Sequence, residues 1–213
     1  MIKRLFDITF SLIGLIISLP LILVISILVK QSSRGPIIYQ ALRAGRNGKN
    51  FYIYKFRTMV VNADKIGGPS TSADDPRLTS IWKFLRKFKL DELPQFVNIL
   101  KGDMSFVGPR PEVISEIEQY DKITRETILS VRPGLTDLAS IAGLHEEEIL
   151  RGSKDPHQAY KEKIQPQKLK LQLEYIQRKS FWLDIKILVT TFLNVVLNKW
   201  TILKFQKNCA RKL

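Results

Sequence analysis

Residues 8–29 read ITFSLIGLIISLPLILVISILV, a stretch without a single charge. A helix of about 22 residues is long enough to cross the ~30 Å hydrocarbon layer of a bilayer. Pro20 stands near the middle of the run, behind Ser18 and Leu19. Proline removes one helical N–H and clashes with the preceding turn, so a kink or break is expected there. The Ser18 hydroxyl is close enough to take up freed backbone groups. Cations flank both ends, Lys3 and Arg4 before and Lys30 and Arg34 after. A simple span favours cations on the cytoplasmic side alone. A helix–break–helix hairpin entering one leaflet accommodates both flanks, and a plain kinked transmembrane helix is the alternative. A cleaved signal peptide fits poorly, because the run is long and no small-residue cleavage site follows it.

The remainder of the 213-residue chain has no comparable run and reads as a basic, water-soluble body. This divides the chain into an anchor, residues 1–34, and a catalytic or binding body, residues 35–213. Thirty-four Lys and Arg against 20 Asp and Glu leave a net charge of +14, which asks for an anionic partner: nucleic acid, an acidic membrane face or phosphorylated ligands. Cys209 is the sole cysteine, so no disulfide forms within the chain, and a reducing compartment is the simpler setting. His145 and His157 are the only histidines, and their spacing makes a zinc site improbable.

Along the body, residues 37–39 form a short apolar strand. Asn47-Gly48 signals a tight hairpin turn, and residues 51–59 form the return strand. Alternation places Lys55 and Arg57 on one face of that strand, either as a solvated cationic edge or as a pair aimed at phosphate. Residues 62–79 are polar and rich in turn formers, a loop or lid. Ile81, Trp82, Leu85 and Phe88 then recur at helical spacing among Lys83, Arg86, Lys87 and Lys89. That pattern suits an interfacial helix on anionic lipid, or one covering the protein's own core. Asp91-Glu92 precede Pro94 and an apolar run ending at Gly102. The pair therefore opens a helix, as a cap or as chemistry. Pro109-Arg110-Pro111 holds a guanidinium on a stiff backbone, suited to phosphate oxygens or serving merely as a connector. Helices are expected over 112–129, from Glu146 to Leu150, and from Lys168 into the apolar run 181–203, where Trp182 and Trp200 suit a membrane interface. The run Glu146-Glu147-Glu148 reads as a solvated helix start.

Taken in order, these segments form a series: Tyr54-Lys55-Phe56-Arg57-Thr58-Met59, Asp75-Pro76-Arg77-Leu78-Thr79, Leu85-Arg86 and Leu90-Asp91-Glu92-Leu93-Pro94-Gln95. Asn98-Ile99-Leu100-Lys101-Gly102-Asp103-Met104-Ser105, Val107-Gly108-Pro109-Arg110-Pro111 and Val131-Arg132-Pro133-Gly134-Leu135-Thr136 complete it. The series resembles the bacterial sugar transferase family, the monotopic phosphoglycosyl transferases, over most of the chain. The resemblance implies transfer of a sugar-1-phosphate from a UDP-sugar to polyprenol (undecaprenyl) phosphate with release of UMP, an opening step of bacterial surface-glycan assembly. It implies Asp91 as nucleophile, forming an aspartyl-phosphosugar, and Glu92 as the Mg²⁺ ligand. Arg86 and Arg110 would grip phosphate oxygens, with Lys55 and Arg57 as phosphate or structural contacts. Pro20, Pro109 and Pro111 would be structural. It places the catalytic body on the cytoplasmic side of the inner membrane, in contact with its lipid. Two departures stand out. Leu19 separates Ser18 from Pro20 where the family often has an adjacent Ser-Pro pair, and residues 137–145 replace a Gly-containing, aromatic-rich stretch near the donor site.

The expected fold is α+β and mostly α: a re-entrant membrane hairpin, a small β-hairpin and amphipathic interfacial helices. A membrane-anchored basic adaptor and a nucleic-acid binder remain as other classes. The carboxylate pair and the stiff Arg110 speak against the adaptor. The second lacks any recognised motif, so no nucleic acid is expected among the partners.

Overall fold

The computed structural model describes residues 1–68, 70–142 and 146–196. Helix α1 runs from Ile2–Ser32, and the hairpin strands follow as β1 (Ile38–Arg43) and β2 (Phe51–Phe56). Next come α2 (Ala63–Ile66), α3 (Trp82–Lys87), α4 (Gln95–Lys101), β3 (Ser105–Val107), α5 (Ile114–Ile117) and α6 (Lys122–Leu129). Strand β4 (Gly134–Thr136) precedes α7 (Leu138–Ile141), α8 (Glu146–Ile149), α9 (Pro156–Lys163), α10 (Gln165–Arg178) and α11 (Phe181–Val196). Mostly helical with little sheet, the class matches expectation. His145, Trp200, Cys209 and the end of the apolar run 181–203 lie outside the described residues.

The anchor differs from expectation in one respect. Instead of two helices parted by a break, α1 is continuous and Pro20 lies inside it. Proline withdraws only its own N–H, and the turns on either side keep theirs. The Ser18 hydroxyl donates to the Gly14 carbonyl at 2.6 Å, one turn back. Only Asp7, Ser11, Ile25 and Val29 of α1 are buried, and Ile16 and Ile17 are 65% and 74% exposed. Among the described residues it is the one helix long and apolar enough to cross a membrane.

Both ends of α1 nevertheless dock on the same body. At the N-terminal end, Lys3 Nζ donates to Asp184 Oδ2 (2.6 Å), Val107 O (2.8 Å) and Tyr175 Oη (3.0 Å). Arg4 donates to the carbonyls of Ile99 (2.6 Å) and Leu100 (2.9 Å) in the last turn of α4. Asp7 Oδ1 accepts from Phe106 N (3.1 Å) and Ser105 Oγ (3.2 Å). At the other end, Ile25 and Val29 pack with Phe56 and Leu85. Arg57 donates to Ser33 O (2.6 Å) and Oγ (2.9 Å).

The hairpin pairs Ile38 with Phe56 through Arg43 with Phe51. Asn47 and Gly48 take positive φ (56° and 75°), as the turn signal required, but inside a longer connection spanning residues 44–50 rather than a two-residue turn. A second sheet, β3 parallel to β4, went unread in the sequence, because three residues are too few to show alternation. The expected helix over 112–129 is two helices, with Asp121 capping the second through Thr124 N at 3.0 Å. One core gathers Val107, Ile128, Tyr175 and Ile187. Another joins the hairpin's Phe51 and Ile53 to Ile99 and Met104.

Candidate active site

An open cleft of about 2000 Å³ lies between the hairpin, α3, the segment 89–96 and the helices after residue 134. Asp91 and Glu92 sit on its wall, in a 3-10 turn (Leu90–Glu92) that precedes α4 rather than in the first turn of α4 itself. Pro94 occupies the position before the first α-helical residue, where a missing N–H costs nothing. The turn begins at Lys89, whose positive φ of 54° swings the chain out of α3. Neither carboxylate caps the helix.

What holds this turn against the hairpin is Asn98, fully buried in α4. Its Oδ1 accepts from Tyr54 N at 3.0 Å and its Nδ2 donates to Tyr52 O at 2.7 Å. β2 is an edge strand on this side, and the amide does the work of a missing neighbour strand. Lys55, next along β2, thereby reaches Glu92 Oε1 at 3.0 Å. Asn98 stood in the motif without a role, and the sequence signal was a lone amide in the apolar run 96–100.

Arg110 arrives from the other side. Gly108 N donates to Thr136 O (3.0 Å) and Gly134 N to Pro109 O (2.8 Å), so the segments 107–110 and 133–136 cross backbone to backbone. There is no room for a Cβ on either glycine at the crossing. Pro111 and the bond from Ala44 N to Glu112 O (3.2 Å) fix the exit. The Arg110 guanidinium pairs with both oxygens of Glu92, Oε2 at 3.1 Å and Oε1 in a shorter contact, and donates to Leu135 O.

The two neighbouring carboxylates consequently differ. Burial would raise Glu92, but Arg110 and Lys55 outweigh it and hold its carboxyl well below the usual range. Asp91 is 5% exposed, and its Oδ1 has no hydrogen-bond partner. Burial, reinforced by the charge of Glu92, pushes its carboxyl up, against the pull of Lys55, Lys89 and Arg86. Such a split is a mark of sites in which two acids have different tasks.

The remaining expected residues fall in two places. Arg86 faces the cleft: its Nε and Nη2 donate to Thr58 Oγ1 (3.3 and 3.1 Å), and Nη1 pairs with Glu147 of α8. Glu146 meets Lys168 of α10 at 3.3 Å. The acidic run at the start of α8 is thus not simply solvated, since two of its carboxylates meet cleft cations. Arg57 stands apart from Asp91 and Glu92 in its contacts, holding Ser33 at the end of α1. Lys55 and Arg57, expected on one face, serve different ends of the fold. Among the described residues no three His, Cys, Asp or Glu cluster as metal ligands. Asp91 and Glu92 are adjacent carboxylates on the cleft wall.

A family model described as "Bacterial sugar transferase" matches residues 1–198. A "UDP-glucose:undecaprenyl-phosphate glucose-1-phosphate transferase" of Klebsiella pneumoniae is 41% identical over 92% of this chain and 40% of its own length. A "Galactosyl transferase CpsE" of Streptococcus agalactiae is 40% identical over 92% of this chain and 42% of its own. A "UDP-N-acetylgalactosamine-undecaprenyl-phosphate N-acetylgalactosaminephosphotransferase" of Aeromonas hydrophila is 34% identical over 92% of this chain and 44% of its own. The chain spans less than half the length of these three relatives.

Proposed function

The chain belongs to the bacterial sugar transferase family, and from that premise we propose that it transfers a sugar-1-phosphate from a UDP-sugar to polyprenol phosphate, releasing UMP. The observation that carries this reading is the pairing of a buried Asp91, whose Oδ1 accepts no hydrogen bond from the protein, with a neighbour whose charge is already balanced. A carboxylate oxygen that no protein donor holds is free to attack.

In the first step, Asp91 attacks the sugar-bearing phosphorus. A P–O bond forms to the carboxylate, and the bond to the bridging oxygen breaks. UMP leaves with that oxygen and its electron pair. In the second, an oxygen of polyprenol phosphate attacks the same phosphorus. The acyl–phosphate bond breaks, and Asp91 returns as carboxylate beside a polyprenyl diphosphate sugar. Two in-line displacements replace one between bulky substrates. The protein's contribution is mainly positioning and charge. Arg110 and Lys55 keep Glu92 ionised and in place, and Arg86 offers a guanidinium edge to the diphosphate.

The donor set also fits Mg²⁺, which commonly takes one or two carboxylates and completes its shell with water and substrate phosphate. Glu92 would hold it, with Asp91 adjacent. Bound there, the ion would supply charge neutralisation for the leaving UMP.

The anchor supports a monotopic arrangement at the cytoplasmic face of the inner membrane. Its two ends dock on one body, which a through-going span would forbid, while Ile16, Ile17 and Leu19 between them are more than half exposed. Exposed Phe84 and Phe88 on and beside α3, with Lys83 and Lys87, and exposed Trp182 and Phe192 on α11 suit the same lipid surface.

The test is intact-mass spectrometry of the solubilised chain incubated with Mg²⁺ and a panel of UDP-sugars, without acceptor. A phosphosugar adduct on wild type that peptide mapping places at Asp91, and that polyprenol phosphate discharges, is expected. Asp91→Asn should carry none. UMP release with no adduct on Asp91, or equal release by Asp91→Asn, would overturn the mechanism.

A further inference from the structure

Arg86 and Arg110 are held differently in the cleft. Arg110 donates through both terminal nitrogens, to both oxygens of the buried Glu92 and to Leu135 O. Arg86 is pinned along one edge by a neutral hydroxyl, Thr58 Oγ1, while its remaining nitrogen, Nη1, meets the carboxylate of Glu147. The Thr58 contacts keep the guanidinium in place whether or not Glu147 is present. The Glu147 edge is exchangeable, for both side chains keep part of their surface in solvent, 21% for Arg86 and 32% for Glu147. Partly exposed ion pairs of this kind contribute little.

Glu147 is also not needed to build its own segment. Its backbone carbonyl accepts from Ala73 N at 3.0 Å, and Gly152 N donates to Asp74 Oδ2 at 3.1 Å, so α8 is tied to the loop 70–79 through other groups. The adjacent Glu146 reaches Lys168 on α10. Consecutive carboxylates therefore meet cations on α3 and α10, and α8 bridges the two. Arg86 and Asp91 line the same cleft, so an anion drawn to Arg86 is brought into the cleft that holds Asp91.

We propose that Glu147 is a positioning residue whose carboxylate occupies the phosphate-facing edge of Arg86 in the ligand-free chain and competes with the donor's diphosphate for it. This rests on the reading that the cleft takes a nucleoside diphosphate sugar. A diphosphate oxygen replaces the carboxylate as acceptor from Nη1, Thr58 keeps the other edge, and Glu147 turns to solvent. The carboxylate thus lowers donor affinity, while Thr58 keeps Arg86 aimed.

The test is calorimetric titration of UMP into the full chain in nanodiscs, wild type against Glu147→Gln, alongside steady-state UMP release. Glutamine keeps the size and a neutral acceptor but removes the competing charge. Removing a partly exposed pair of this strength corresponds to a roughly 1.5- to 5-fold gain in affinity. Glu147→Gln should therefore bind UMP more tightly by about that factor and lower the donor KM without raising kcat. The gain should shrink as salt is raised. Glu148→Gln, whose partner is the exposed Arg151, should leave both unchanged. Weaker or equal binding by Glu147→Gln would show that Glu147 merely props Arg86, and would overturn the inference while leaving the proposed function standing. Failure of both proteins to bind UMP or any UDP-sugar would overturn the donor reading and this inference with it.

Discussion

Replacing Asn98 with alanine tests how the site is held together. The substitution removes two hydrogen bonds, from Tyr54 N at 3.0 Å and to Tyr52 O at 2.7 Å, and empties the space of a fully buried side chain. Neither backbone group has another partner on the open side of β2, because the hairpin has only two strands. Two lost bonds at about 1 kcal/mol each, with about 1–2 kcal/mol for the emptied space, give a loss of about 3–4 kcal/mol. For a chain of this size, that is a fall in Tm of roughly 5–15 °C. A thermal melt of the chain in detergent micelles reads it directly. UMP release should fall as well, because β2 carries Lys55 and α4 follows the Asp91-Glu92 turn. A Tm within about 2 °C of wild type would refute the view that one amide fastens the hairpin to the catalytic turn.

Two further outcomes follow from the site's electrostatics and its tightest crossing. Asp91 has its carboxyl pushed above the ordinary 3.8 in the folded chain. The folded state therefore binds this proton more tightly than the unfolded state, and stability falls as pH rises from about 3.8 through the raised value. Asp91→Asn should be inactive yet melt higher than wild type at neutral pH, with the difference closing as pH approaches 3.8. A melt in which the variant is no more stable at pH 7 would contradict this. Gly134→Ala would place a Cβ on the backbone N and O of Gly108. It should cost about 2–3 kcal/mol and draw Arg110 away from Glu92, seen as a lower Tm together with reduced kcat.

Much of the site was legible because it is local. Asp91, Glu92 and Pro94 announce a helix entrance, and Pro109-Arg110-Pro111 announces a fixed guanidinium; the fold brings the two within hydrogen-bonding distance. What the sequence hid is non-local. Glu147 lies 61 positions from Arg86, and no periodicity relates them. Arg57 reads like Lys55 by alternation, but β2 ends at Phe56, and the residue beyond it turns to Ser33. Taken alone, the Asp91-Glu92 pair read as a cap before it read as a catalyst, and it is the absence of a side-chain cap bond at this turn and at α4 that separates the two readings. At Pro20 the local rule overstated the outcome, since one missing N–H did not end α1.

An anchor riveted at both ends is a jig, not a leash. On the monotopic reading, the altitude of Asp91 over the headgroups is a dimension built into the protein, set by the fastenings at Lys3 and Arg4 on one side and Ile25 and Val29 on the other. Grafting an unrelated membrane-seeking peptide through a slack linker would keep the body at the bilayer and still lose that altitude, leaving the lipid-borne acceptor out of register with the cleft.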